Sequence, residues 1–272
     1  MGKFKGKIAI IKFTGGLGNE MFQYSFGEYL KLKGINVYYD TSSWFFFKDI
    51  KLRISKMNIK VRSLNFFISA LLYLLDKINF PFLIFREKAP FKSQVFSLNP
   101  LVYYVGYWQH ISYVEENKNH LQKCFQYRIN NSQVTDLIST LSSNSIGIHV
   151  RRGDYVNNPT HETIGIKYFS DAIKYISNKV QEPIFFIISD DINWCKENLN
   201  FDNCTFIDFS NNEFEDFEIL KNCHHKIISN STFSWWAAFL GEIEGSITIC
   251  PKKWTNKIES VSLQLSNWIL IS

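Results

Sequence analysis

The residues best equipped for chemistry are His149-Val150-Arg151-Arg152-Gly153-Asp154, which close the apolar run Ser145-Ile146-Gly147-Ile148. Two guanidinium groups stand where a buried strand opens into a loop. Arginine keeps its charge, and its planar fork matches phosphate oxygens two at a time. In open α/β sheets, ligands collect at the C-terminal ends of strands. Alternation puts Ile146, Ile148 and Val150 on one face and Gly147, His149 and Arg151 on the other. The apolar set needs a core, so His149 and Arg151 point elsewhere together, and a diphosphate suits them. A surface ion pair between an arginine and Asp154 is the plainer reading.

Three further places carry polar groups with a direction. The turn Gly15-Gly16-Leu17-Gly18-Asn19 opens a helix, and a helix N-terminus favours anions through its free N–H groups and dipole. It fits neither the dinucleotide fingerprint nor an ATP-binding loop. In the functional reading Asn19, with Glu20, faces a cleft between domains; otherwise it is a tight turn. The loop Ser229-Asn230-Ser231-Thr232-Phe233-Ser234-Trp235-Trp236 joins a strand to a helix, where a hydroxyl can cap the helix or reach a phosphate. Asp190 and Asp191 sit at a strand end, and a helix cap accounts for either one of them. Asp216 lies in an acidic helix whose plain reading is a solvated face; a carboxylate there could also read guanine by accepting its N–H hydrogen bonds. His224 and His225 are adjacent and do not converge as metal ligands do.

These groups need a scaffold, and the chain is long enough for two domains of ~150 residues each. Lys7–Phe13, the glycine turn, a helix over 20–33 and the strand Ile35–Asp40 make a βαβ unit. Residues 41–135 are less regular. Strands at 145–150, 183–188, 204–208, 226–228 and 246–250 then alternate with helices at 167–180, 192–199, 213–222 and 233–240. The expected division is 1–140 and 141–272, the second Rossmann-like, with a final helix returning to the first. A formal charge of +5 suits an anionic small molecule or an acidic membrane surface and is too scattered for nucleic acid. Five cysteines without a secretory leader predict reduced thiols and a cytoplasmic protein. The apolar stretch 66–85 is interrupted by Asp76, Lys77, Asn79 and Pro81 and falls short of the ~20 residues of a membrane span. It reads as a core helix, with peripheral contact near a lipid-linked substrate as the alternative.

Taken in order, Gly15 to Tyr24, Gly106 to Gln109, His149 to Tyr155, Ser189 to Asp191 and Asn230 to Trp236 resemble the α-1,2-fucosyltransferases of glycosyltransferase family 11. The resemblance implies a GT-B-like α/β fold with two Rossmann-like domains facing across a cleft. It also implies inverting transfer from GDP-L-fucose to the 2-hydroxyl of a terminal galactose on a surface oligosaccharide, with no metal and no cofactor beyond the donor. By resemblance Arg151 holds the β-phosphate, His149 lines its pocket, Asp216 reads guanine, and Ser231, Thr232, Phe233 and Ser234 form the phosphate-side loop. His161 stands where the family often has histidine. Arg152, Asn19, Gly16, Gly18 and Asp190 complete the expected donor site. Glu20, Asp154 and His161 are open as general base, or none is needed. Glu20 replaces the usual glutamine, and the segment after Gln109 lacks the usual acidic-basic pair, so acceptor choice can differ. Transfer through another linkage, and a non-catalytic nucleotide-sugar or glycan-binding module, are the competing readings.

Overall fold

The computed structural model describes residues 6–42, 52–87, 99–156, 163–255 and 263–272. The chain divides into two compact units, Met1–Gln126 and Tyr127–Ser272.

In the first unit β1 (Ile8–Lys12), α1 (Leu17–Leu32) and β2 (Asn36–Asp40) form the βαβ unit that the glycine turn predicts. The sheet adds β3 (Ile84–Arg86) and β4 (Leu101–Val105) in the order β2-β1-β4-β3, all parallel. β4 therefore lies beside β1 in the interior of the sheet, although it falls in the stretch read as irregular. α1 begins at Leu17, three residues earlier than expected, because Gly15 takes φ +89° and turns the chain straight into the helix. Between β2 and β3 runs α2 (Phe66–Lys77), which packs Leu72 on Ile10 and Tyr103. The expectation of a core helix at 66–85 does not hold: Ser69 and Leu72 are its buried residues, and its other large apolar side chains lie largely outside. A short helix, α3 (Lys118–Cys124), closes the unit.

The second unit holds α4 (Ser132–Thr140), β5 (Ser145–Val150), α5 (Ile166–Ser177), β6 (Ile184–Ser189), α6 (Ile192–Asn198) and β7 (Cys204–Phe206). It continues with α7 (Glu213–Asn222), β8 (His225–Ile227), α8 (Thr232–Leu240), β9 (Thr248–Pro251) and β10 (Ile269–Ile271). Its six strands run parallel in the order β10-β9-β8-β5-β6-β7. The expected boundary at 140 moves back to 126, since α4 belongs to this unit. Its cap residue Asn131 donates Nδ2 to Phe209 O at 3.1 Å and to Glu215 Oε2 at 3.0 Å. Among the described residues no helix follows α8; the chain end is β10, paired with β9, in place of the expected final helix.

Every residue of β5 is buried, as in a sheet covered on both faces. Ile146, Ile148 and Val150 join Tyr168, Phe169, Ala172 and Ile176 of α5 in one core. The opposite face is closed too: a Cβ on Gly147 would come within 2.7 Å of Leu220 Cδ1 and 3.1 Å of Cys223 Sγ. Alternation thus placed the residues correctly, but only the strand's C-terminal end is left for a ligand. Gly147→Val should overpack this contact and cost about 1–3 kcal/mol in urea unfolding; unchanged stability would mean that α7 yields freely.

Candidate functional site

Strands β8, β5 and β6 are neighbours, so their C-terminal ends bring three loops together. After β5, Arg151 lies between two carboxylates, paired through Nη2 with Asp154 and through Nη1 with Asp190 Oδ2 at 3.0 Å. After β6, Asp190 also accepts from the Arg152 backbone N–H at 2.8 Å. One carboxylate therefore fixes both the backbone of the arginine loop and the guanidinium it displays. A Cβ at Gly153 would fall 2.5 Å from Asp190 Oδ2, so a side chain there would push that carboxylate from its place. The plain reading of Arg151 as an ion pair with Asp154 is present in the structure. It coexists with the directed one, since the side chains of Arg151 and Asp190 are part-exposed and that of Asp154 is exposed at the ligand edge.

Arg152 turns away from that edge. Its Nε donates to Asp191 Oδ2 at 3.1 Å, and its guanidinium lies 3.9 Å from the Trp194 ring centroid. Asp191 also caps α6 by accepting from Trp194 N at 3.3 Å. The two adjacent aspartates have separated: Asp191 is the cap, and Asp190 is the arginine holder. Tyr155 beneath Arg151 (5.5 Å to its ring centroid) donates to Asn230 O at 3.2 Å, tying the arginine loop to the loop after β8. Neither Tyr155 nor Trp194 was singled out by sequence. Their signal was aromatic spacing beside the charges, Tyr155 four residues after Arg151 and Trp194 three after Asp191.

His149 is buried in the same corner, its Nδ1 3.0 Å from Ser229 Oγ and its ring tilted 5.1 Å from Phe233. Burial, and then the Arg151 charge, push it down to about 3, so the ring is neutral near pH 7. The neutral ring carries one N–H donor and one acceptor nitrogen, and Ser229 Oγ partners Nδ1. Ser231 is the N-cap residue of α8, yet its side chain makes no capping hydrogen bond. Ser234 instead donates back to Ser231 O at 3.1 Å. Thr232 and Phe233 open the helix, so the loop sets hydroxyls and first-turn N–H groups, the positive end of a helix, beside the arginine loop.

Asp216 stands in the first turn of α7, whose cap Asn212 accepts from Phe214 N at 3.0 Å. The helix is not a solvated face: Phe214, Glu215, Phe217, Glu218, Ile219 and Leu220 are buried. Glu215 is consumed structurally, accepting from Asn211 N at 2.8 Å and from Asn131. Asp216 is part-exposed and takes the Ser210 hydroxyl at 2.6 Å. Burial raises its carboxyl to about 6 against that hydrogen bond, with the charges of Glu215 and Glu213 adding to the rise. Such a group favours the folded state when protonated, and its cost grows as pH climbs through about 6. Asp216→Asn keeps an acceptor for Ser210. It should stabilise the protein against urea at about pH 8, with the gain fading below about pH 5; a gain independent of pH would show that the carboxyl is not perturbed.

In the first unit the glycine turn is held by side chains. Gln23 accepts from Thr14 N at 3.0 Å and donates to Gly106 O at 3.0 Å, and Gln109 Nε2 donates to Asn19 Oδ1 at 2.9 Å. The turn and the Gly106–Gln109 segment are thus one structure, in which Trp108 is held at φ +58°. Glu87 supports that bend, accepting from Tyr107 N and Trp108 N at 2.7 and 2.8 Å. Gly16 is the cap residue of α1 and Gly18 lies buried in its first turn. Glu20 is fully buried and accepts from Ile54 N at 2.7 Å and Arg53 N at 3.4 Å. That geometry makes it a holder of the 52–54 backbone and corrects its candidacy as general base. His161 lies outside the described residues. His225 is structural: its Nδ1 accepts from Ile247 N at 2.9 Å. Among the described residues no three His, Cys, Asp or Glu side chains gather as a metal site.

The model of the family described as glycosyl transferase family 11 matches residues 3–272. An Escherichia coli protein named alpha-1,2-colitosyltransferase is 31% identical over 93% of this chain and 94% of its own length. The pig galactoside alpha-(1,2)-fucosyltransferase 2 is 33% identical over 36% of this chain and 31% of its own. Among solved structures, the fucosyltransferase NodZ from Bradyrhizobium superposes with TM-score 0.50 at 13% identity, covering 86% of this chain and 92% of that one. The likeness in structure establishes the fold, an α/β architecture of the GT-B class.

Proposed function

The chain belongs to glycosyl transferase family 11 and is a glycosyltransferase, and from that membership we propose that it moves L-fucose from GDP-L-fucose to the 2-hydroxyl of a galactose on a surface oligosaccharide. The observation that carries this reading is Arg151, a guanidinium held at the ligand edge of β5 by Asp190 and Asp154. Its five N–H donors exceed what two carboxylates use, so it can take a phosphate while staying oriented. The β-phosphate of the donor sits against Arg151 and the first turn of α8, with the hydroxyls of Ser231 and Thr232 at hand and the neutral His149 ring beside them. The expected Ser234 contact is corrected, its buried hydroxyl being turned back onto Ser231 O. Phe233 packs beside the nucleotide, and the mostly ionised Asp216 accepts from the guanine N–H groups.

Transfer is an in-line displacement at the anomeric carbon. The acceptor 2-hydroxyl attacks as the bond to the β-phosphate oxygen breaks through an oxocarbenium-like state, the configuration inverts, and the hydroxyl proton leaves to a base or to water. Charge grows on the departing GDP, so preorganised donors at its phosphate lower the barrier directly. Asp154 pairs with Arg151 and is more exposed than it, which suits a carboxylate that shifts when the phosphate arrives. An acceptor carried on a lipid, with peripheral contact at a membrane, belongs to the same reading. A colitosyl donor is the second reading, favoured by the 31% identity to the colitosyltransferase over nearly the whole chain.

The test is acceptor-dependent GDP release from GDP-L-fucose across a panel of galactosides. Arg151→Ala should lose roughly 100-fold or more in rate while staying folded, and full activity would remove Arg151 from its role. A chelator should leave the rate unchanged; strong inhibition would bring a metal into the reaction. GDP binding with no release on any acceptor would refute transfer from this donor, and release only from a colitosyl donor would select the second reading.

A further inference from the structure

Helix α2 has its faces reversed. At about 100° per residue, Ser69, Leu72 and Asp76 share one side, and Phe67, Leu71, Leu74 and Ile78 share the opposite one. The side toward the sheet carries the acid: Asp76 takes Lys12 Nζ at 2.7 Å and pairs with Arg86, while Leu72 packs on Ile10 and Tyr103. The outer side is apolar, with Phe67 83%, Leu71 57%, Leu74 61% and Ile78 71% exposed. The turn that follows adds the exposed rings of Phe80 and Phe82. A surface helix normally gives water its polar side, and a continuous exposed apolar stripe marks a surface that is covered in use.

Charge indicates what covers it. Residues 52–87 contain two acids, Asp76 and Glu87, and both are turned inward, Glu87 onto the backbone of Tyr107 and Trp108. The cations of the same stretch, Arg53, Lys56, Lys60, Arg62, Lys77 and Arg86, are exposed, with Arg86 paired to Asp76, and Lys77 flanks the apolar stripe beside the Tyr73 ring at 5.4 Å. An apolar stripe flanked by Lys77, in a stretch whose cations outnumber its acids, matches the boundary between acyl chains and anionic headgroups. At 12 residues α2 is too short to span, and no helix among the described residues is long and apolar enough to cross a membrane.

We propose that the outer face of α2, with the Phe80–Phe82 turn, docks this protein on an anionic lipid bilayer, the helix lying in the headgroup plane. The proposal deepens the peripheral contact of the preceding reading by naming the surface and the lipid class. The test is co-sedimentation of the full chain with phosphatidylglycerol-phosphatidylcholine vesicles and with phosphatidylcholine vesicles alone, for wild type and a Leu71→Glu/Leu74→Glu variant. Wild type should bind the anionic vesicles, less so in high salt, and the variant should bind roughly tenfold or more weakly. Circular dichroism should be unchanged in the variant, and so should GDP release with a soluble acceptor. No binding by wild type, equal binding by the variant, or a wild-type dimer that the variant dissolves would each overturn the proposal. Vesicle binding and GDP release are read separately, so failure of the transfer reading is distinguishable from failure of this one.

Discussion

The site in the second unit depends on one carboxylate. Asp190, at the end of β6, holds the backbone N–H of Arg152 and the guanidinium of Arg151 at the end of the adjacent β5. Two parallel strands in register bring these ends together, Val150 opposite Ser189. A side chain at residue 153 would displace the Asp190 carboxylate. Exposed or half-exposed ion pairs contribute only about 0–1 kcal/mol each, and that small figure is informative. Such pairs are strong enough to orient a guanidinium and weak enough to be exchanged for a phosphate. The arginine is presented, not locked.

The rest of the corner follows from the sheet order. β8 lies on the other side of β5, so its loop arrives with Ser229 under His149 and with the N-terminus of α8 beside the arginine loop. Tyr155 links the two loops through Asn230. Burial makes His149 a neutral hydrogen-bonding group, while Arg151 supplies the positive charge. Cation, neutral ring and helix N-terminus are thus distinct parts, the first two placed by the end of β5 and the third by the loop after β8.

Much of this was legible in the sequence, for physical reasons. β5 could be placed to the residue because its apolar run ends abruptly in charge, and the alternation of Ile146, Ile148 and Val150 correctly named the core face. Sheet order was not legible, since parallel pairing is made by crossovers and leaves no local pattern; β4 beside β1 went unread for that reason. Glu20 misled because a charge near a glycine turn looks exposed, whereas its carboxylate is spent on two distant backbone N–H groups. α2 misled in the opposite sense. Apolar composition predicts burial, and only the position of Asp76, turned in on Lys12, reveals which side faces out.

The central claim is that Arg151 meets the β-phosphate of the donor, and the most direct measurement compares GDP with GMP. The two nucleotides share guanine, ribose and the α-phosphate, and differ by the one group assigned to this residue. Isothermal titration of both into wild type and Arg151→Ala should show wild type preferring GDP and the variant losing that preference, with GMP affinity little changed. A variant that still prefers GDP by the wild-type margin would contradict the account.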